Sequence, residues 1–277
     1  MGEKKPFKIR RIPRMENSAL LIAWDEDASK LGGKVSDYLI ERLGGIGFAE
    51  IEPEGFFPLA GVSVDDNIVQ FPECRFFYCR RQNLVICKSS PPRSNWFRFM
   101  DLVLELAERY CDVREVYTFG AMVSLSAHTA ERTLLAVASS PQMREALLAY
   151  DLVMDIDYET ANGQRPTLSS FLLWVAQKRG MEAASLWVPV PFYLLTNEDP
   201  RAWKRILEFL DRRLRLGLEF SPLDEEIAAQ DRRISQIASR SPLLSHYIRR
   251  LQSNLSLTQE ENEKLVKEIE QFLREKQ

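Results

Sequence analysis

The sequence is short of the residues that metal and thiol chemistry require. Its 277 residues include only two histidines, His128 and His246, which argues against a His-based zinc site. Its four cysteines, Cys74, Cys79, Cys87 and Cys111, form no C-x-x-C pair. Three lie in apolar, strand-like runs, where a free cysteine acts as a small hydrophobe, so they read as reduced core residues of a cytoplasmic protein. No run approaches the roughly 20 apolar residues of a membrane span. The basic N-terminus is followed by no apolar segment or cleavage site, so no signal peptide is expected. An excess of one charge is also missing. With 37 basic and 40 acidic residues the net charge is -3, so no overall field draws the chain to nucleic acid or an anionic membrane. No metal and no cofactor is expected.

What is present is an alternation of strand and helix patterns over residues 15–220. Ala19 to Trp24 is a buried-strand run, followed by a helix from Ser29 to Leu43 that Gly44-Gly45 closes. Phe48 to Ile51 is a second strand, and Arg75–Cys79 with Leu84–Cys87 predicts a hairpin. Asn95 to Tyr110 is an amphipathic helix and Val116 to Gly120 a strand. Thr133–Ala138 and Leu152–Ile156 are strand-like, and a short helix opens at Pro141. A helix starting at Pro166, a strand from Ala184 to Val190 and a helix opened by Asp199-Pro200 complete the pattern. This predicts an α/β fold of three layers, α/β/α, with a mostly parallel sheet.

The flanks differ. Residues 1–14 carry Lys4, Lys5, Lys8, Arg10, Arg11 and Arg14 and read as a solvated, partly disordered arm. Residues 221–277 show three helix starts and no strand: Ser221-Pro222, Ser241-Pro242, and the capping box Thr258 to Glu261. Leu243, Leu244, Tyr247, Ile248 and Leu251 form one apolar stripe, and Leu265, Ile269, Phe272 and Leu273 another. Such a helical extension packs either on its own domain or on another subunit, and the sequence leaves both open.

Several blocks in order resemble the proteasome assembly chaperone 2 family. They are Leu20–Trp24 with Leu31-Gly32-Gly33 and Tyr38–Gly44; Ala49–Phe57; Thr118–Ala121 reaching His128-Thr129; Ala184–Tyr193; and Tyr247–Leu251. The resemblance spans about residues 15–252. It implies a fold like that of purine nucleoside phosphorylases with a helical C-terminal extension, homo-oligomers with a trimer favoured, and protein-binding or assembly-chaperone function without assigned catalysis. Two departures matter. Where the family has a Gly-rich turn, this chain has Trp24-Asp25-Glu26-Asp27-Ala28, whose carboxylates repel a phosphate. Its Glu275-Lys276-Gln277 end lacks the hydrophobic-Tyr-any tripeptide of some proteasome-binding relatives, so docking through that end is not expected.

Candidate sites follow from position. Asp25 and Asp27 sit where a first βα loop leaves a parallel strand, the usual ligand side of an open α/β sheet. They suit a cation or simply an acidic helix start. His128 suits a general base or a backbone-bonded structural role; no Gly-x-Ser-x-Gly accompanies it. With Arg165 and Thr167, in the loop that includes Asn162, these residues could converge into a small-molecule or enzyme cleft. That is the alternative to a non-catalytic protein that binds itself and other proteins. For the latter, the interface candidates are Trp96, Arg98, Tyr193, Tyr247 and Leu251. The prolines of Trp187–Tyr193 cannot donate to a ladder, so that run is expected to leave a sheet edge.

Overall fold

The computed structural model describes residues 6–25, 27–57, 63–65, 67–157, 159–161 and 163–274. Eight strands form one sheet: β1 (Phe7–Ile9), β2 (Ser18–Trp24), β3 (Ile46–Ile51), β6 (Cys74–Cys79), β7 (Leu84–Ser89), β8 (Val113–Ser124), β9 (Leu135–Ala138) and β10 (Glu182–Pro191). Their spatial order is β1-β3-β6-β7-β2-β8-β10-β9. A separate two-stranded ribbon joins β4 (Ser63–Asp65) to β5 (Ile68–Gln70).

The four central strands, β7, β2, β8 and β10, run parallel. Their residues alternate between two buried faces. Leu21, Ile86, Tyr117 and Leu186 face one core, and Leu20, Val85, Val116 and Ala183 the other. Burial on both faces explains why β2 is an unbroken apolar run. The first core is roofed by α1 (Leu31–Leu43), α3 (Pro141–Leu147) and α5 (Pro200–Leu214), the second by α2 (Trp96–Cys111) and α4 (Leu168–Lys178). The sheet as a whole is mixed. The β6–β7 hairpin, β3–β6, β1–β3 and the β9 edge are antiparallel; of these only β6–β7 is joined by a short connection.

Four local expectations need correction. The N-terminal segment is not simply a solvated arm: Phe7–Ile9 pairs antiparallel with β3. Lys8 bonds Glu52 at 2.6 Å and Arg10 bonds Glu50 at 2.9 Å, so these basic residues neutralise acids in and just after β3; Lys4 and Lys5 lie outside the described residues. Leu152–Ile156 is no strand, making a single bridge from Val153 to Leu135. The α4 helix begins after Pro166, with Thr167 as its cap accepting from the Ser170 amide at 3.1 Å. Likewise Ser221 is the first helical residue of its helix, with Phe220 at the cap.

The run Trp187–Pro191 stays in the sheet on β8, yet β9 covers β10 only from Ala184 to Trp187. Pro189 and Pro191 therefore fall where β10 has a free edge, the place a residue without an N–H is tolerated.

The extension forms α6 (Ser221–Arg240), α7 (Pro242–Gln252) and α8 (Gln259–Arg274). Ser241 caps α7 through the Leu244 amide. The box before α8 is reciprocal: Thr258 Oγ1 accepts from the Glu261 amide at 3.3 Å and Glu261 Oε2 from the Thr258 amide at 2.7 Å. Leu244, Tyr247, Ile248, Leu251, Leu265 and Ile269 are buried in the same core as α1 and α5. The extension thus packs on its own domain; Leu243 is left 49 % exposed, and the side chains of Phe272 and Leu273 lie outside the described residues.

At the start of α1 the helix meets β2 so closely that a Cβ on Gly32 would lie 2.0 Å from the Trp24 carbonyl oxygen, whereas one on Gly33 would meet nothing within 4 Å. Gly32→Ala is expected to destabilise the protein by at least ~1–3 kcal/mol, the cost of overpacking. Gly33→Ala is expected to gain about 0.5–1 kcal/mol through helix propensity. Thermal midpoints of the two variants check this; equal midpoints would contradict the packing described.

Candidate functional site at the carboxyl end of the sheet

The carboxyl ends of β2, β7, β8 and β10 point the same way, because the strands are parallel. From β2 the chain reverses through Ser29 and Lys30, both left-handed, at φ 60 and 52°. The Ser29 amide and hydroxyl donate to the Leu195 and Leu194 carbonyls at 2.7 and 2.9 Å, tying this loop to the end of β10. Asp25 accepts from Ser90 Oγ at 3.0 Å, and Asp27 from the Gly32 amide at 2.9 Å. Burial pushes the Asp27 carboxyl up to about 7, opposed by the Gly32 amide and assisted by the charge of Asp25.

His128 follows β8 and is 3 % exposed. Tyr193 Oη accepts from the His128 amide at 2.6 Å and lies 3.0 Å from Nδ1. This network assigns the proton to Nε2, which faces Asp231 of α6 at 4.0 Å. Burial lowers the imidazole pKa to about 4, so the ring is neutral near pH 7. His128 is thereby tied to Tyr193 through both its amide and its ring.

Beneath it lies a pair the sequence reading did not single out as a site. Arg132 donates through Nε and Nη2 to Asp199 Oδ2 at 3.1 and 3.0 Å, and the two side chains are 2 and 0 % exposed. The other Asp199 oxygen caps α5, accepting from the Arg201 and Ala202 amides at 3.1 and 3.3 Å. Arg132 also donates to the His128 and Ala130 carbonyls. Asp199 was legible as a helix cap, but nothing local in sequence marks Arg132 as its partner 67 residues away.

The extension closes this end of the sheet. Asp231 bonds Arg201, Gln230 Nε2 donates to the Glu198 carbonyl, and Thr196 Oγ1 donates to Glu270 of α8. A polar groove of about 300 Å³ remains at the seam, lined by Lys34, Glu198, Trp203, Glu226, Gln230 and Arg233. Lys34 there pairs with Glu198 at 2.7 Å.

The five ligand candidates therefore do not share one set of contacts. Asp25 and Asp27 belong to the β2 loop and His128 to the buried cluster. Arg165 is exposed and borders a shallow cavity of about 360 Å³ with Arg93, Trp96 and Phe171, while Thr167 serves as the α4 cap. Asn162 lies outside the described residues. Of the interface candidates, Tyr193, Tyr247 and Leu251 are 1, 3 and 2 % exposed in this chain's own core, so they offer no free surface. Trp96 is half-buried, donating Nε1–H to the Pro92 carbonyl at 2.8 Å, and Arg98 is exposed. Among the described residues no cluster of His, Cys, Asp or Glu could hold a metal ion, and no helix is long and apolar enough to cross a membrane.

The PAC2 family model matches residues 26–238, most of the α/β domain and the start of the extension. The chain belongs to the PAC2 family. Among solved structures, a Mycobacterium tuberculosis proteasome-assembly chaperone homologue is similar at a TM-score of 0.68 and 19% identity, over 83% of this chain and 99% of that one. A Mycobacterium tuberculosis protein of unknown function superposes over more of the PAC2 chain described here. Its TM-score is 0.77 at 19% identity, over 92% of this chain and 90% of that one. A Pyrococcus furiosus archaeal proteasome activator reaches 0.67 at 19% identity, over 83% and 97%. At such identities these likenesses establish the fold. No curated protein matches the sequence.

Two outcomes follow. Arg132→Met leaves the Asp199 carboxylate buried without its cation and is expected to cost about 3–5 kcal/mol by chemical denaturation; a loss under about 1 kcal/mol would show the pair to be dispensable. For Asp27, the folded carboxyl keeps its proton to about pH 7, while an unfolded one, with a pKa of 3.8, has lost it. The folded state binds more protons in that window, so the ionisation of Asp27 lowers stability as pH rises from about 4 to about 7. Asp27→Asn is expected to gain ~1–2 kcal/mol at pH 8 and nothing at pH 3.5. A gain independent of pH would rule out the raised carboxyl.

Proposed function

We propose that this protein binds other proteins as a non-catalytic, homo-oligomeric, assembly-chaperone-like factor of the cytoplasm. The observation that carries the reading is the use to which the chain puts the carboxyl end of its parallel strands. In open α/β sheets that end is where small ligands enter. Here α6 and α8 pack over it, and His128, Arg132, Tyr193 and Asp199 are committed to one another and to backbone. These contacts are thus spent on holding the domain together, and its outer faces are what remain for recognition. The printed descriptions of two relatives, a proteasome-assembly chaperone homologue and a proteasome activator, support a protein partner. A homotrimer is the assembly that the family resemblance favours.

The test is native affinity capture of the tagged full chain from its own cell lysate, read by mass spectrometry. The same protein partner, recovered in repeated captures and reconstituted with purified components, is the expected result. Recovery of nothing above background would overturn the reading. A thermal shift on adding nucleoside or inorganic phosphate, lost in His128→Gln, would favour the small-molecule alternative instead.

A further inference from the structure

Over the carboxyl end of the sheet the seam between domain and extension stays partly open, as the groove of about 300 Å³. This is the side on which open α/β sheets take small ligands. Three elements wall it. Lys34 comes from α1, Glu198 and Trp203 from the entry and first turn of α5, and Glu226, Ala229 and Arg233 from α6. The α6 residues are spaced three and four apart and so share one helix face. Anything held there touches both the domain and the extension.

The charges of the groove do not balance locally. Lys34 Nζ bonds Glu198 at 2.7 Å and lies 5.2 Å from the centre of the Trp203 ring. Partial burial raises the Glu226 carboxyl, Lys34 lowers it and Glu198 raises it again, so the three groups feel one another. Glu226 itself has no ion pair among the described residues. Two carboxylates thus share one ammonium, and that end carries a negative charge in excess. Arg233 is the reverse. It is exposed, and its side chain has neither an ion pair nor a hydrogen bond among the described residues. It lies two turns along α6 from Glu226, about 10 Å of helix, with the small Ala229 between them. Trp203 adds a donor. It is 5 % exposed, and its Nε1–H has no acceptor among the described residues, a state that buried donors rarely keep.

We propose that this groove binds a small zwitterion of the amino-acid type, with its ammonium between Glu198 and Glu226 and its carboxylate at Arg233. The ammonium supplies the positive charge that the two carboxylates lack. The carboxylate gives Arg233 the planar, two-oxygen partner that a guanidinium matches. A purely anionic ligand meets Glu198 and Glu226, and a purely cationic one meets Lys34 and Arg233, so a molecule of both signs is selected. The groove is at the small end of the range for ligand sites, which suits an amino acid rather than a nucleotide. Bound there, the ligand ties α6 to α1 and to the entry of α5. It acts as an effector of the extension, whichever protein the chain binds.

The experiment titrates the full chain with each of the common free amino acids, to millimolar concentration, by isothermal calorimetry. Saturable one-to-one binding of at least one is expected. For the tightest of them, the N-acetyl and carboxamide forms each lack one charge and are expected to bind at least about tenfold more weakly. Glu226→Gln and Arg233→Gln change exposed side chains. Each is expected to keep the wild-type thermal midpoint and to lose about tenfold in affinity. The bound amino acid is expected to slow amide hydrogen exchange in α6. No binding by any amino acid would overturn the site. So would binding that both variants leave unchanged, since the ligand would then sit elsewhere. Equal affinity for the N-acetyl or carboxamide form would overturn the zwitterion, and unchanged exchange in α6 would overturn the tie to the extension. None of these results bears on the capture of protein partners.

Discussion

The ion pair between Arg132 and Asp199 is the constraint on which the carboxyl end of this sheet depends. Two unit charges, both nearly inaccessible to water, are held at 3.0 Å. Removing them from solvent costs several kcal/mol per ion unless every donor and acceptor is used. The protein meets that condition. Asp199 spends one oxygen on the guanidinium and the other on two amides of α5, and Arg132 spends its remaining N–H groups on the loop that holds His128. One side chain thereby fixes the exit of β8 against the entry of α5. Tyr193, at the end of β10, adds its hydroxyl to the same loop. The strand ends, the first turn of α5 and the seat for α6 are set together.

Much of the fold was legible because its signals are local. The unbroken apolar run of β2, the Gly44 closure of α1, the β6–β7 hairpin and the Thr258–Glu261 box each depend on residues a few positions apart. The sequence was weakest where the outcome depends on a distant neighbour. The stretch from Phe7 to Arg10 looks like a charged arm until Glu50 of β3 and Glu52 just after it meet Arg10 and Lys8. Leu152–Ile156 has strand residues but only Leu135 to pair with. The apolar stripe of α7 could have met another subunit equally well, and only the common core with α1 and α5 decides it. The same limit applies at the site: the positions of Asp25, Asp27 and His128 at strand ends followed from the βα pattern, whereas the approach of α6 to His128 did not.

The helical extension changes what the α/β scaffold can offer. A sheet of this topology normally exposes a crevice beyond its strand ends. Here Asp231, Gln230 and Glu270 reach onto that region from the extension. In this PAC2 family member the extension covers much of that region and leaves a polar groove at the seam, while other distinctive surfaces are on the outside: an apolar ribbon on one part of the chain and an aromatic row on another. Their rings and aliphatic side chains are large and stiff, which suits recognition at low entropic cost.

The free edge of β10 has a bearing on solubility. A strand that ends a sheet normally displays N–H groups on which stray chains can template cross-β growth. Between Val188 and Pro191 every second position is proline, so this edge cannot present the continuous donor row that such growth needs. A protein with several exposed apolar groups carries a standing risk of runaway sheet extension, and two missing hydrogens remove one of its starting points.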